Sequence, residues 1–174
     1  MEVHIVTKVL ILSDSHGLTQ EVEDIKKRHQ LKHMIHCGDS ELASDAVEMD
    51  GFFKVAGNCD VDSRYPDQEI VTIDGLTFFI THGHLYHVKR NLMTLAYRAK
   101  ELEAQVICFG HTHVAIAEQV GKQLFVNPGS IRLPKNRLDK TYVIMEWDNI
   151  DNVKVNFYSL NGEVVETLAH ETSL

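Results

Sequence analysis

The sequence predicts an α/β fold in which two facing, mixed β-sheets are flanked by helices. In the first half, apolar β-prone runs alternate with amphipathic segments, a pattern typical of strands joined by helical crossovers. The second half is mainly short β-prone runs, most of them separated by tight turns. The chain has 174 residues, of which 44% are hydrophobic, enough for one continuous core. We therefore expect residues 1–174 to form a single domain.

The first half begins with three strands that are separated by helices. Its first run is apolar throughout, as expected for a strand that is buried on both faces. The segment after it places apolar side chains at helical spacing. This strand–helix pattern then repeats, which favours parallel strands. The predicted elements are a strand at 8–13, a helix at 19–29, a strand at 33–37, a short helix at 42–47 and a strand at 52–56.

The rest of the chain is predicted to contain one hairpin, one long helix and five further strands. Asp74-Gly75 is a strong turn signal between strands at 70–73 and 76–81. Apolar residues recur on one face of segment 88–104, which predicts the longest helix of the chain. The remaining strands are predicted at 106–109, 114–120, 123–126, 141–147 and 153–160.

Five short motifs lie where apolar runs end. They are Asp14-Ser15-His16, Gly38-Asp39, Gly57-Asn58-Cys59-Asp60, His82-Gly83-His84 and Gly110-His111-Thr112-His113. If the strand ends meet, these motifs combine carboxylate, amide and imidazole donors, a mixture that suits Mn, Fe, Co, Ni or Zn. A single Asp at such a point is more often a helix N-cap, and a single His more often has a structural role. Seven such side chains together favour a metal site, with Asp39 as the bridge between two cations.

The charge and the cysteine count restrict the partners and the compartment. A net charge of −8 opposes broad attraction to nucleic-acid phosphates or anionic lipid, although bound metals could make the site locally positive. No run approaches the ~18 apolar residues of a membrane span, and the start of the chain lacks a leader pattern. Three cysteines do not suggest a disulfide framework. We expect a cytoplasmic protein that binds neither extended nucleic acid nor membrane, and homo-oligomerisation stays open.

The order of the five motifs resembles that of the calcineurin-like metallophosphoesterases. The pattern of that superfamily is Asp-x-His, Gly-Asp, Gly-Asn-His-Asp/Glu, His and Gly-His-x-His, and this chain departs from it only in the third motif, where Cys59 replaces the His. This variant of the third motif resembles that of the small single-domain bacterial and archaeal phosphodiesterases related to the retromer subunit Vps29. The similarity extends from residue 8 to about residue 158. It implies a four-layer αββα metallophosphoesterase sandwich.

The resemblance also implies two metal-ligand sets, each of four side chains. The first set maps to Asp14, His16, Asp39 and His113, and the second to Asp39, Asn58, His82 and His111. The cofactors expected from this resemblance are two divalent metal ions, with Mn²⁺ as the first choice.

The function expected from these ligands is hydrolysis of a small phosphodiester by a hydroxide that bridges the two metals. We predict Asp39, Asn58 and His84 as catalytic residues, with His84 facing the substrate or orienting a ligand. A thiol is a weak proton donor, so Cys59 in place of His favours substrates with good leaving groups. Two alternatives stay open: a phosphomonoesterase or nucleotidase, and a non-catalytic protein-interaction scaffold. No role is assigned to the histidines outside the motifs, at positions 4, 29, 33, 36 and 170.

Overall fold

The structure, a computed structural model, describes residue 3 and residues 5–174. In this part of the chain there are two α-helices, α1 (Gln20–His29) and α2 (Met93–Glu101), and eleven strands. The strands are β1 (Thr7–Leu12), β2 (His33–His36), β3 (Phe52–Lys54), β4 (Gln68–Ile73), β5 (Leu76–Thr81), β6 (Val106–Cys108), β7 (Ile116–Val120), β8 (Gln123–Asn127), β9 (Thr141–Trp147), β10 (Val153–Ser159) and β11 (His170–Thr172). Short 3₁₀ turns are formed at Val47–Met49, His84–Tyr86 and Glu166–Leu168.

The strands form two mixed sheets. The six-stranded sheet has the order β11-β10-β9-β1-β2-β3, and the five-stranded sheet has the order β4-β5-β6-β8-β7. Strands β1, β2 and β3 are parallel to one another, as are β5, β6 and β8. The predicted motifs follow the carboxyl ends of these parallel strands, which is the edge where α/β sheets build their sites.

Three apolar clusters divide the molecule into four layers. Along β1, Val9 and Ile11 belong to the cluster between the sheets, whereas Leu10 and Leu12 pack with the buried face of α1. Phe79 of β5 belongs to the third cluster, with the buried residues of α2. Successive residues of β1 therefore serve two different cores, which explains why its sequence is apolar without alternation. The predicted α/β fold with two facing sheets and flanking helices is confirmed.

The helix predicted at 42–47 is wrong, because this segment contains only the start of the 3₁₀ turn at Val47–Met49. Side chains bond the backbone groups that a helix would use. Asp62 Oδ2 accepts the N–H of Ser44 at 2.7 Å, and the Lys54 amine donates to the Ser44 carbonyl at 2.7 Å. Such side-chain bonds compete with helical ones.

The helix predicted at 88–104 is shorter than expected and is not the longest. It spans Met93–Glu101, nine residues against the ten of α1. Just before its first residue, the Asn91 side-chain oxygen accepts the N–H of Met93 at 3.0 Å, a local bond that competes with helical ones. Beyond its end, Glu103 has a left-handed φ of 54°, which interrupts the helix. Neither described helix is long and apolar enough to cross a membrane.

Candidate metal centre

The predicted ligands lie in the turns that follow the parallel strands of both sheets. Asp14 and His16 follow β1, Asp39 follows β2, Asn58 follows β3, and His82 comes directly after β5. The loop after β6 carries the remaining two histidines. Five of the seven ligands have positive φ angles between 43° and 67°, namely Asp14, His16, Asp39, His111 and His113. Such left-handed backbone is uncommon for residues other than glycine and concentrates at functional sites.

Two glycines of the motifs let these turns approach one another closely. A Cβ on Gly57 would collide with the Asp39 carboxylate, and one on Gly110 would collide with the Ser13 hydroxyl and the Asp14 carboxylate. Only glycine fits at either position without displacing a predicted ligand. Close packing against the ligand turns therefore explains why glycine occupies positions 57 and 110 of the motifs.

Asp14 is the most deeply buried of the predicted ligands that carry charge. Its Oδ2 accepts hydrogen bonds from the Ser13 hydroxyl at 2.6 Å and from the N–H of His111 at 3.1 Å. Its Oδ1 has no hydrogen-bond donor in the described part of the chain, although His113 Nε2 lies 3.1 Å away. Burial raises the pKa of this carboxyl, but contact with His113 and the charge of His82 outweigh burial and leave the pKa below its ordinary value.

His16 and His113 direct their Nε2 atoms at each other, 3.3 Å apart. The opposite nitrogen of each ring is already bound: His16 Nδ1 lies 3.1 Å from Glu41 Oε2, and His113 Nδ1 donates to the Leu133 carbonyl at 2.7 Å. Since both partners are acceptors, we assign the proton to Nδ1 in each ring. Each Nε2 is then free to bind a metal, as is usual for histidine ligands.

His82 is held in the same manner on the other side of the site. Its Nδ1 donates to the Cys37 carbonyl at 2.8 Å. Its Nε2 lies 3.2 Å from Asp39 Oδ2 and 3.1 Å from Asn58 Oδ1. Burial lowers the pKa of His82, but the Asp39 carboxylate outweighs it and raises the pKa. Burial likewise raises the pKa of Asp39, and contact with His82 more than compensates, so this pKa is lowered.

The donor set as a whole fits metal cations. Three imidazole Nε2 atoms, from His16, His82 and His113, surround Asp14 Oδ1 at 3.8, 3.9 and 3.1 Å. A second carboxylate, that of Asp39, lies beside them. In their neutral forms these three rings direct Nε2 lone pairs at an oxygen that has no hydrogen-bond donor among the described residues, an arrangement that a cation would satisfy.

Three overlapping clusters of side chains bring their donor atoms within 4.8 Å of one another among the described residues. They are Asp14–His16–His113, Asp14–Asp39–His82 and His16–Asp39–Cys59. Asp14, His16 and Asp39 each belong to two clusters, so the clusters form one continuous centre. Five of the seven predicted ligands thus belong to the centre, namely Asp14, His16, Asp39, His82 and His113. Asn58 contacts the same centre through His82.

His111 lies at the side of this centre rather than within a cluster. Its ring packs against those of His82 and His84, with ring centroids 5.1 and 6.1 Å away. Burial and the charge of His82 lower the pKa of His111 to about 4, so the ring is neutral at pH 7 and can act as a donor to a metal. His84 Nδ1 is buried without a hydrogen-bond partner in the described chain.

A cavity of about 490 Å³ opens beside these two rings. It is lined by His84, His87, Lys89, Arg90 and His111. Lys89 and Arg90 are cationic, so this basic cavity contrasts with the net charge of −8 for the whole chain. An anionic substrate would be attracted to this cavity.

Cys59 lies at the mouth of the centre with an exposed side chain. Its N–H donates to Asp39 Oδ1 at 2.8 Å. Burial and the Asp39 carboxylate raise the pKa of the thiol to about 11, which keeps it protonated at pH 7. A neutral thiol is a weak nucleophile, in agreement with the expectation that water, not Cys59, attacks.

Supporting residues that the sequence analysis did not assign hold these turns in place. Asp60 Oδ2 accepts N–H groups from Asp39 and Gly57 at 2.8 and 2.7 Å, so it ties two turns together. Glu41 orients His16. Asp60 is the last residue of the third motif, where the superfamily pattern has Asp or Glu. Its place in that motif could have indicated its role from the sequence. Glu41 has no comparable signal, because its contact depends on a left-handed turn at φ 56°.

His36, the last residue of β2, is a third supporting residue. It is fully buried; its Nδ1 accepts the N–H of Gly38 at 3.2 Å, and its Nε2 lies 2.9 Å from the Ser15 hydroxyl. Burial lowers its pKa to about 4. His36 thus connects the turn after β1 with the turn after β2.

Comparison with known proteins identifies the family. Residues 7–150 match the model of the calcineurin-like phosphoesterase superfamily domain. The chain is 44% identical over 168 residues to the probable metallophosphoesterase YsnB of Bacillus subtilis, covering 95% of this chain and 99% of YsnB. It is 32% identical over 119 residues to the phosphodiesterase YfcE of Escherichia coli K12, covering 63% of this chain and 60% of YfcE.

Solved structures share the fold. A conserved, predicted phosphoesterase from Streptococcus pneumoniae superposes with a TM-score of 0.93 at 34% identity, covering 98% of this chain and 99% of that one. Vps29 from Cryptosporidium parvum has a TM-score of 0.74 at 17% identity, with 97% and 99% coverage, which shows the fold alone. The resemblance predicted from the motifs is confirmed: the chain belongs to the calcineurin-like phosphoesterase superfamily.

Proposed function

We propose that this metallophosphoesterase is a phosphodiesterase that uses two divalent cations, with Mn²⁺ as the first choice. The observation that carries the proposal is the convergence of three Nε2 atoms on the unsatisfied Asp14 Oδ1 beside Asp39. Asp14, His16, Asp39 and His113 would hold one cation, and Asp39, Asn58, His82 and His111 the other. When bound, two divalent cations supply Lewis acidity that activates water and polarises the phosphoryl oxygens.

The chain itself would bind and orient the phosphoryl group. His84 and His111 face the basic cavity, where Lys89 and Arg90 can contact further phosphoryl oxygens. Asn58 contacts His82 through its amide oxygen and would hold the substrate side of the centre in place. Cys59 offers no efficient proton to a departing alkoxide, so a substrate with a good leaving group suits the site.

The diester preference draws support from the relative YfcE, which is described as a phosphodiesterase. A second candidate, a phosphomonoesterase, is favoured by one observation: Lys89 and Arg90 could neutralise the additional charge of a monoester. A small substrate rather than extended nucleic acid fits the chain's net charge of −8.

We place the activity in the reducing cytoplasm, since all three cysteines are free.

The test combines metal analysis with turnover of two matched substrates. Protein reconstituted with Mn²⁺ should contain two metal ions per chain and hydrolyse bis(p-nitrophenyl) phosphate faster than p-nitrophenyl phosphate. Chelation should abolish both activities. The reverse substrate order would favour the monoesterase, and less than one metal per chain without turnover would favour a scaffold.

A variant pair sharpens this test. Asp39→Asn weakens the proposed bridge and removes negative charge between the cations, so metal content and activity should both fall sharply. Asp50→Asn is the control, since Asp50 is exposed and lies on the surface before β3. Equal metal content in the two variants would refute the role of Asp39.

A further inference from the structure

A second cavity, of about 400 Å³, lies next to the basic one and is lined mainly by apolar side chains. We call it the apolar groove. Phe109 and Val88 are buried side chains in its lining, and Leu92, Val114 and Ile116 add further apolar surface. Its volume falls in the range of sites that take small organic ligands.

The apolar groove is directly joined to the proposed phosphoryl site. Thr112 lines the groove and stands between His111 and His113. Lys89 lines both the groove and the basic cavity. A molecule bound in the groove would therefore lie beside the turn that carries two proposed metal ligands.

The turn between the groove and the metal centre is held in place by the chain. The Asn127 amide donates to the Gly110 carbonyl and to the Thr112 hydroxyl, both at 3.0 Å. The Thr112 hydroxyl in turn accepts the N–H of Val114 at 3.2 Å. Because these bonds fix the turn, the side of the groove that it forms is rigid and can select ligands by shape.

Two amines frame the apolar groove. Lys89 stands at its border with the basic cavity, and Lys135 lines it as well. The backbone of Lys135 is tied to the site, because its N–H donates to the carbonyl of His113 at 3.0 Å. Among the residues that the structure describes, no carboxylate lines either cavity. The combination of an apolar wall, a positive rim and an adjacent phosphoryl site matches a phosphate ester with an apolar organic group.

We propose that the apolar groove binds one ester group of the substrate, and that this group is an aromatic or heteroaromatic one of up to nucleoside size. The inference rests on the proposed phosphoryl site and narrows its substrate class. Diesters of small polar alcohols, such as glycerophosphodiesters, leave the groove unfilled and are therefore poor substrates. Burial of an aromatic ring in the groove supplies affinity that a methyl group cannot supply.

The test measures binding without turnover, using two phosphonates that the enzyme cannot hydrolyse. Mn²⁺-loaded protein is titrated calorimetrically with methylphosphonate and with benzylphosphonate. Benzylphosphonate should bind at least ~10-fold more tightly. In Leu92→Gln, which makes the groove polar, the ratio between the two ligands should fall to about threefold or less, because the lost affinity belongs to the ring alone.

Met93→Gln is the matched control. Met93 is the neighbouring residue on the helix, is 60% exposed and does not line the groove, so this variant should keep the wild-type ratio. Equal affinity of the wild type for the two phosphonates, or an unchanged ratio in Leu92→Gln, overturns the inference. Because binding alone is measured, this failure is distinct from failure of the proposed function, which is the absence of phosphodiester hydrolysis.

Discussion

Asp60 accepts the backbone N–H of Asp39 at 2.8 Å and so fixes the residue that we propose as the bridge between the metals. The same carboxylate accepts the N–H of Gly57 at 2.7 Å and the N–H of Glu41 at 2.8 Å. Three backbone donors from two turns thus depend on one side chain. This relationship makes Asp60 a positioning residue.

Asp60→Asn should therefore weaken metal binding without removing any ligand. An amide has one acceptor oxygen instead of two, so at least one of the three N–H groups loses its partner, at a cost of about 1–3 kcal/mol. Losses of this kind around metal sites typically reduce affinity about 10- to 100-fold. Metal titration of the purified variant measures this directly. Wild-type affinity in Asp60→Asn would show that the turns are held by other contacts.

Buried His36 should make the stability of the protein depend on pH. Its pKa is about 4 in the folded protein against the ordinary ~6.5. The unfolded chain therefore binds a proton first, and stability is lost as pH falls from about 6.5 to about 4. The effect is of the order of 3 kcal/mol. Urea unfolding at several pH values should show it.

The His36→Gln variant isolates this contribution from that of other titrating groups. Its stability should fall less between pH 7 and pH 4 than that of the wild type. His33→Gln, at the other end of β2, is the control and should follow the wild-type curve. Parallel curves for wild type and His36→Gln would assign the acid sensitivity to other residues.

His29 should matter for stability but not for metal binding. Its Nε2 lies 2.7 Å from the hydroxyl of the buried Tyr142 on the α1 side of the six-stranded sheet, and its ring packs against Tyr142 and Tyr158 rather than against a proposed ligand. His29→Ala should lower the free energy of unfolding by about 1–2 kcal/mol, with metal content and turnover near wild type. Thermal unfolding and metal analysis of the same preparation check both points. Loss of metal from this variant would contradict the separation of the two regions.

Cys59 should affect the choice of leaving group more than the rate with activated substrates. Without an efficient general acid, the rate should fall steeply as the pKa of the leaving group rises. Cys59→Ala should remain close to wild type with aryl diesters, because a protonated thiol is not the nucleophile. Rates across a series of aryl diesters give the slope. A Cys59→Ala protein that keeps its metals yet is as inactive as Asp39→Asn would make the thiol a catalytic participant.

Ten of the eleven described strands could be predicted because their side chains serve large cores, whereas the short edge strand β11 was not predicted. The run in β1 is apolar throughout because alternate residues pack on different layers, and that pattern is visible in the sequence. The absence of a helix at 42–47 could not be predicted, because it results from the bonds that Asp62 and Lys54 make to Ser44. Those partners are distant in sequence, and nothing local indicates the contact.

In the site, likewise, the residues that lie in motifs could be predicted from the sequence, and those that depend on contacts between distant segments could not. The order of Asp, Asn and His motifs indicated which side chains would meet. Glu41 and His36 could not be assigned, since their roles follow from loop contacts between separate strands. The apolar groove could not be predicted either, because Leu92 and Ile116 fit ordinary helix and strand patterns. Only the fold brings them into one cavity with Thr112.

The proposed ligands come from both sheets. Those after β1, β2 and β3 belong to the six-stranded sheet, and those after β5 and β6 to the five-stranded sheet. Cations bound between them would act as a cross-link that clamps one edge of the sandwich. The folded state would then be favoured by mass action, so each tenfold rise in free metal above its dissociation constant adds about 1.4 kcal/mol per site. Scarcity of the metal would in this way reduce the lifetime of the protein as well as its activity.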